Sequence, residues 1–516
     1  MPINSSAGNT IIGTKKNLFV PLLPIIFFFL HNFNLFKELL HTKEVAGLFF
    51  IYSAVILIVE LIIQKLFKLS WSQSALPATI LAICFLFFGA LQDFFLGIPS
   101  LTFLSNSLLI VLIYLFIQVF LITWIKKKNP AFTKAIRYFA LVFTILITIE
   151  IGSFVLTAYN GRTVNTITKK MTSSLPLSAL PLNDKTTFNE RPDIYHILFD
   201  SYTNAPCLRQ YWGFENDIYS FLDSIGFYSI DSGFSNYNFT PYSVSSTFNM
   251  QYLQGAEEFI KPNSANFYIG NRSYHNNVFF KFLEKQQYDF SIFSVLESEK
   301  ELLKLGYLAI GPPESWLRKQ TLERIYLNPW ITHKIKKLFS KQGRFPASVT
   351  ESMQHFGEYN TAATKHIFSD CKKSLIPGHA PLFSFTHFML PHEPYLMDEN
   401  GKFIASPNPE ESGKDGYLQQ VKYANKLIRQ ITNCLLSDTT RNKIIIIHGD
   451  HGFRHYTNAP STANFGALSA VYFFNKNYKG LKKDISLVNL YRTVINNVYN
   501  GNLPLLPDSI VAMKNK

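Results

Sequence analysis

Cysteine is scarce in this chain, with four residues among 516. None stands in a C-x-x-C pair, which argues against a structural zinc site. Internal repeats and low-complexity tracts are absent too, so neither accounts for a length too great for one ordinary domain. Acidic residues are outnumbered, 35 Asp and Glu against 49 Lys and Arg, for a formal net charge of +14. The excess divides between two unlike parts. Residues 1–190 hold 15 basic and 7 acidic residues, nearly all between long apolar runs. Residues 191–516 hold 34 and 28, spread through a mixed sequence as in a water-soluble domain. Nothing in the pattern suggests nucleic-acid binding; membrane topology and an anionic substrate account for the charge.

Where charge is missing, the runs are long enough to cross a membrane. A hydrocarbon core of about 30 Å takes about 20 mostly apolar residues in a helix. Five stretches qualify: Asn17–Phe36, Val45–Gln64, Ser74–Gly97, Leu101–Ile125 and Tyr138–Tyr159. Glu60 and Glu150 are the ionisable residues of note inside them, and Asp93 lies near an end. A glutamate in a span is costly and marks a function or a pairing between helices. Lys15 and Lys16, Lys65 and Lys68, and the group Lys126, Lys127, Lys128, Lys134 and Arg137 flank alternate spans. The positive-inside rule then puts the N-terminus in the cytoplasm and everything after Tyr159 outside. Cys84 falls in a span, and Cys207, Cys371 and Cys434 face an oxidising exterior. One disulfide is open to these three, with Cys371–Cys434 as the guess and one thiol left over.

Residues 160–190, rich in Thr, Ser, Asn, Leu and Pro without periodicity, read as a linker. From Arg191 short apolar runs alternate with helical stretches, the rhythm of an α/β domain with a largely parallel sheet. Three runs share one arrangement. Ile194–Phe199 ends in Asp200, Leu382–Leu390 ends in Pro-His392-Glu-Pro-Tyr, and Ile444–Ile447 ends in His-Gly-Asp450-His451-Gly. If the three strands are parallel neighbours, their carboxyl ends deliver these side chains to one rim of the sheet. Asp450 and His451 side by side there can hold a divalent cation.

A fourth element supplies a nucleophile. Residues 236–247 are crowded with hydroxyls and run into a helical stretch, and Pro241 would hold the Thr240 side chain in place. A helix start favours an anion, whether an alkoxide or a bound phosphate. A threonine oxygen bound to a divalent cation can ionise near neutral pH and attack phosphorus.

Asp200, the Thr/Ser-rich helix start, Pro-His-x-Pro-Tyr and Gly-Asp-His-Gly, in that order, resemble the sulfatase-like branch of the alkaline phosphatase superfamily. With the five spans, the chain resembles its membrane members, the lipoteichoic-acid synthases and phosphoethanolamine transferases. The resemblance covers about Arg191 to Pro507. It implies a multi-span α-helical membrane domain (residues 1–159) followed by a linker (160–190). An extracytoplasmic α/β domain (191–516) with a central, largely parallel sheet flanked by helices completes the chain. The implied setting is a bacterial plasma membrane with the catalytic domain on its outer face. Asp200, Asp450 and His451 then match metal ligands, and Thr240 the metal-bound nucleophile, with Ser243 the alternative if the register is one turn out. His392 matches the histidine that contacts the transferred group or protonates the leaving oxygen. Arg454 and His455 could touch an anionic substrate. His387, five residues before His392, either supports it or sits in the strand core. One divalent ion is implied, Mn, Zn, Mg or Ca, with room left for a second.

The implied reaction moves a phosphoglycerol or phosphoethanolamine group from a lipid donor to a surface glycan or lipid. Departures from the family matter here. The sulfatase Cys/Ser-x-Pro-x-Arg is absent, since the matching stretch is Thr240-Pro-Tyr-Ser-Val, so formylglycine chemistry is not expected. A tethered phosphodiesterase or sulfuric-ester hydrolase keeps the same residues and differs in the acceptor. A non-catalytic glycan- or partner-binding domain is the contrasting class, and the intact residue set argues against it. Metallo-β-lactamases require His-x-His-x-Asp-His and calcineurin-like enzymes an early Asp-x-His, which this chain lacks. The aromatic and basic stretch 330–344 reads as a solvated helix or one lying on an anionic membrane.

Overall fold

The computed structural model describes residues 19–36, 40, 42–128, 133–159, 175–182, 191–253, 264–297, 313–327, 347–373, 375–376, 378–404, 413–455 and 460–512. The chain forms two compact units, residues 1–165 with 311–344 and residues 166–310 with 345–516. The basic stretch 330–344 lies outside the described residues.

The first unit is helical. Three of its helices, Thr42–Phe67, Ser107–Lys128 and Thr133–Tyr159, are each long and apolar enough to cross a membrane. The other two expected spans differ in form. Val20–Asn34 is a shorter apolar helix, and the expected Ser74–Gly97 span is two helices, Trp71–Leu86 and Phe88–Leu96, bent by 52°. The expected Leu101–Ile125 span starts later, because residues 99–105 form a 3₁₀ turn and Asn106 Oδ1 accepts from the Leu108 and Leu109 N–H groups.

In a helix pair apolar enough to cross a membrane, a break at Phe87 frees backbone groups that protein must satisfy if water is excluded. A residue from far along the chain does so: the Leu322 N–H donates to the Phe85 carbonyl (2.8 Å), and Arg324 Nη1 adds a bond to the Gly89 carbonyl inside the second helix (3.0 Å). Arg324 also pairs with Asp93 at 2.8 Å. Gly89 lets this segment approach, since a Cβ there would lie 2.6 Å from the Lys319 carbonyl oxygen. Residues 313–327, expected in the soluble domain, therefore belong to the helical unit.

The second unit is built on six strands: β1 (Asp193–Phe199), β2 (Tyr228–Ser229), β3 (Asp289–Phe293), β4 (Leu382–Phe388), β5 (Lys443–Gly449) and β6 (Ser469–Phe473). Their order is β2-β6-β5-β1-β4-β3. The pairs β5–β1, β1–β4 and β4–β3 are parallel, and β6 pairs antiparallel with β5 and β2. Strands β1, β4 and β5 are buried throughout, which explains their largely apolar sequences and the Ile444–Ile447 run of β5. Alternate residues face two helix layers. His196 and Phe385 meet Phe248 of the Thr240–Asn249 helix, whereas Ser384 and Thr386 bond Asp370 and His366 of the Ala347–Lys373 helix. Part of the expected linker joins this core: Leu180 is buried in it, and the Leu175 N–H donates to Gln251.

Two further features tie the unit together. Cys371 and Cys434 form a disulfide between the Ala347–Lys373 and Gly413–Ser437 helices. His196 and His448 meet between β1 and β5 with Nε2 atoms 2.7 Å apart. His448 Nδ1 donates to the Gly449 carbonyl (2.8 Å), so its Nε2 accepts from His196, whose Nδ1 accepts from the Tyr491 hydroxyl. That relay holds only if both rings are neutral. Burial lowers His448 to about 4 and His196 well below the ordinary range.

The disulfide closes a segment of 63 residues. Replacing both cysteines with serine should lower the unfolding free energy by about 2–4 kcal/mol. Thermal unfolding of the protein in detergent reads this, and an unchanged midpoint would show the bridge to be dispensable. The histidines bind fewer protons folded than unfolded below about pH 6.5. Their stabilisation is therefore full above that pH and falls as pH drops toward 4, by up to ~1.4 kcal/mol per unit for each ring. Denaturation midpoints between about pH 7.5 and 5 should decline in wild type more steeply than in a His196→Phe/His448→Leu variant. Parallel profiles would remove the relay as the cause.

Candidate active site

Register places the site. Phe199 pairs with both Phe388 and Gly449, so Asp200, Met389 and Asp450 are each the first residue past their strand, on one rim. Gly449 permits the close turn there, because a Cβ would lie 2.3 Å from the Tyr202 carbonyl oxygen. Gly452 similarly faces the Gly466 carbonyl oxygen at 2.5 Å. Ser201 takes a left-handed backbone (φ 63°) that turns the chain back after Asp200.

Asp200, Asp450 and His451 are all buried, and one ligand atom of each lies within 4.8 Å of the others. The hydrogen bonds decide what faces the centre. Asp450 Oδ1 accepts from the Ser201 and His451 N–H groups at 2.9 and 3.0 Å. Its Oδ2 is buried with no hydrogen-bond partner among the described residues. His451 Nδ1 donates to the Gly452 carbonyl at 2.8 Å, which leaves the lone pair on Nε2. That atom lies 3.4 Å from Asp450 Oδ2 and 3.7 Å from Asp200 Oδ1. Burial lowers the His451 pKa, keeping the ring neutral as a ligand must be. A lone pair aimed at two carboxylates, one with an orphaned oxygen, is an arrangement that a divalent cation fits. The donors, two carboxylates and an imidazole, suit a zinc or manganese type of ion.

Thr240 completes the cluster. It is the first residue of the Thr240–Asn249 helix, with Pro241 next, and its Oγ1 is 3.5 Å from both Asp200 Oδ2 and His451 Nε2. Ser243 is turned away. Its hydroxyl donates to the Asp450 carbonyl and so ties the helix to the turn after β5. The structure thus brings Thr240, and not the alternative Ser243, to the carboxylates. His387 also belongs here. It is buried on β4, Nε2 is 3.4 Å from Asp200 Oδ2, and Nδ1 meets Ser294 Oγ at 3.1 Å. Burial opposes ionisation of Asp200, but His392 and the His387 contact outweigh it and hold the carboxyl well below its usual range.

His392 follows β4 in a turn with cis bonds at Leu390–Pro391 and Glu393–Pro394. Its Nδ1 contacts the Glu393 carbonyl, and its Nε2 accepts from Arg454 Nη2 at 3.0 Å. His455 is more exposed and pairs with Glu393 Oε2 at 2.8 Å. Burial raises the Glu393 pKa, but the His455 contact and the Arg454 guanidinium nearby bring it down to about 2. Sequence reasoning missed three supporting groups. Glu393 lies within the motif that named His392. Ser201 follows Asp200 directly, and its N–H orients Asp450. Tyr417 donates to the Ser201 carbonyl (2.8 Å) and accepts from the Thr203 N–H (3.0 Å). Only Glu393 had a local signal, a carboxylate held between two prolines.

No family model matches the chain. Among solved structures, it is similar to the integral membrane lipooligosaccharide phosphoethanolamine transferase A of Neisseria meningitidis, at 11% identity and TM-score 0.37, covering 95% of each chain. It is similar to the C-terminal periplasmic domain of EptC from Escherichia coli, at 12% identity and TM-score 0.37, over 64% of this chain and 92% of that one. An alkaline phosphatase superfamily protein from Vibrio parahaemolyticus is similar at 12% identity and TM-score 0.33, over 64% of this chain and 73% of that one. Likenesses of this depth assign no activity, and the chemistry rests on the side chains of this chain.

Proposed function

We propose that the protein is a membrane-anchored, metal-dependent transferase that takes a phospho-substituent from a lipid donor. The group, of phosphoethanolamine or phosphoglycerol type, passes to a surface glycan or lipid through a covalent intermediate on Thr240. The observation that carries this reading is the Thr240 hydroxyl, 3.5 Å from both a buried carboxylate and a buried neutral imidazole at the end of a parallel sheet. Asp200, Asp450, His451 and Thr240 would hold the cation. Bound there, a divalent ion supplies a Lewis acid beside the hydroxyl and the phosphoryl oxygens.

The chain's own groups do the rest. Thr240 Oγ1 attacks phosphorus as its proton passes to solvent, the bond from phosphorus to the lipid oxygen breaks, and a phosphothreonine diester that keeps the headgroup results. The second displacement transfers the group to the acceptor hydroxyl and restores Thr240. Arg454 turns its guanidinium from His392 to the phosphoryl anion, with which it makes a charge-assisted bond. His392 Nε2, released by that turn, is free to take a proton and give it to the leaving oxygen. His387 stays behind Asp200 and fixes its orientation. The helical unit, with three helices able to cross a bilayer, supports placing the site at an outer membrane surface, where a lipid donor is at hand.

The test incubates the membrane-inserted protein with headgroup-labelled phospholipids and Mn²⁺, Mg²⁺ or Zn²⁺, then maps the label by peptide mass spectrometry. A labelled Thr240 peptide is expected, and Thr240→Ala should lose the label and at least roughly 10³-fold in turnover. Neither adduct nor lipid turnover with any of the three ions would sink the reading, and full activity in Thr240→Ala would move the nucleophile elsewhere. Chelation should abolish turnover reversibly. His392→Ala should cost about 10²–10⁴-fold with a lipid leaving group and much less with a nitrophenolate, which needs no proton. Equal losses on both substrates would contradict the acid role.

A further inference from the structure

A cavity of about 410 Å³ lies inside the helical unit, apart from the site above. Its walls come from the Thr42–Phe67 helix (Ile51, Val55, Val59), the Trp71–Leu86 helix (Ala82, Phe85) and the Ser107–Lys128 helix (Leu115). Leu322 and Glu323 also line it, delivered by the segment that caps the broken helix at Phe87. Tyr52 lies beside that segment, in one cluster with Leu317. The lining on the Ser107–Lys128 helix runs from Val111 to Gln118, a depth of about 10 Å at 1.5 Å per residue.

What fills such a space follows from where it opens. Ile51, Val55 and Leu115 are among its walls, yet they are 58%, 53% and 56% exposed. These residues lie within membrane-crossing helices, so the exposed side meets lipid hydrocarbon and not water. The slot is therefore open laterally to acyl chains along two spans. An apolar space of this size has no reason to hold water, and one less than half as large binds a hydrocarbon readily. Polar side chains are few in the lining, Tyr52 and Glu323 beside the capping segment and Tyr114 and Gln118 on the Ser107–Lys128 helix.

We propose that this cavity is a binding site for one acyl chain of a membrane glycerophospholipid. Binding stands on the cavity alone. That the chain belongs to the donor rests on the transferase reading above, because a lipid held by one tail at the helical unit loses the freedom to drift away between encounters.

The experiment uses the full-length protein, delipidated in detergent and titrated with a diacyl C16 phosphoglycerol or phosphoethanolamine lipid under native mass spectrometry. Val55→Trp and Leu115→Trp fill the slot from positions that face lipid. Leu141→Trp, on the Thr133–Tyr159 helix and 60% exposed but outside the lining, is the control. Each lining variant should weaken lipid binding at least tenfold, the control should bind as wild type, and a single-chain lysolipid should compete where glycerophosphate does not. In turnover the lining variants should raise KM for the diacyl lipid about tenfold and leave a water-soluble phosphodiester unchanged. Wild-type binding in both lining variants overturns the proposal, as does equal weakening in the control. Cavity-dependent binding by a protein that turns over no lipid leaves the site standing and removes the transferase reading alone. Binding lost in the lining variants with KM for the lipid unchanged removes the donor assignment alone.

Discussion

The parallel register of β1, β4 and β5 is the constraint on which the candidate chemistry depends. Side chains separated by about 250 positions converge because Phe199 stands level with Phe388 and Gly449. A slip of one residue in either pairing would reverse every side chain on that strand and send Asp450 or the His392 turn to the wrong side. What prevents the slip is burial on both faces, with aromatic and aliphatic residues locked between two helix layers. The His196–His448 relay adds a polar lock, since its hydrogen bonds form in one register only.

The charge arrangement at the rim is the second constraint. Asp450 has one oxygen fixed by two backbone N–H groups and the other left bare, beside an imidazole whose donor face is already engaged. A purely structural turn would have no cause to bury an unsatisfied carboxylate oxygen, which costs about 1–3 kcal/mol or more for a charged group. Held this way, the ligands are oriented before any ion arrives. The Ser243 bond to the Asp450 carbonyl extends that order to the helix carrying Thr240.

Much of this was legible because strands buried on both faces write themselves as largely apolar runs, and each of the three ended in polar residues. Thr240 was separable from its neighbouring hydroxyls by Pro241 alone, and geometry was needed to exclude Ser243. Groups that act through backbone atoms left no trace: the Ser201 N–H and Tyr417 depend on a left-handed turn and on a helix more than 200 residues away. Hydropathy found the apolar runs but not the bend, because a broken span and a straight one have the same composition. Nor could it see that residues 313–327 belong with the helices, since that segment is polar enough to pass for part of a soluble domain.

That segment has a bearing on how the protein is made. The Phe85 carbonyl freed by the break meets its partner only when Leu322 has been synthesised, and the bond from Arg324 to Gly89 spans 235 positions. Chains emerge N-terminus first, and domains usually fold as they appear. If the helices enter a bilayer as they emerge, their break stays unsealed while the first half of the α/β unit is produced. Completion of the earlier unit is thus timed by the later one, and a chain that ends before residue 322 leaves the helical unit with an open seam.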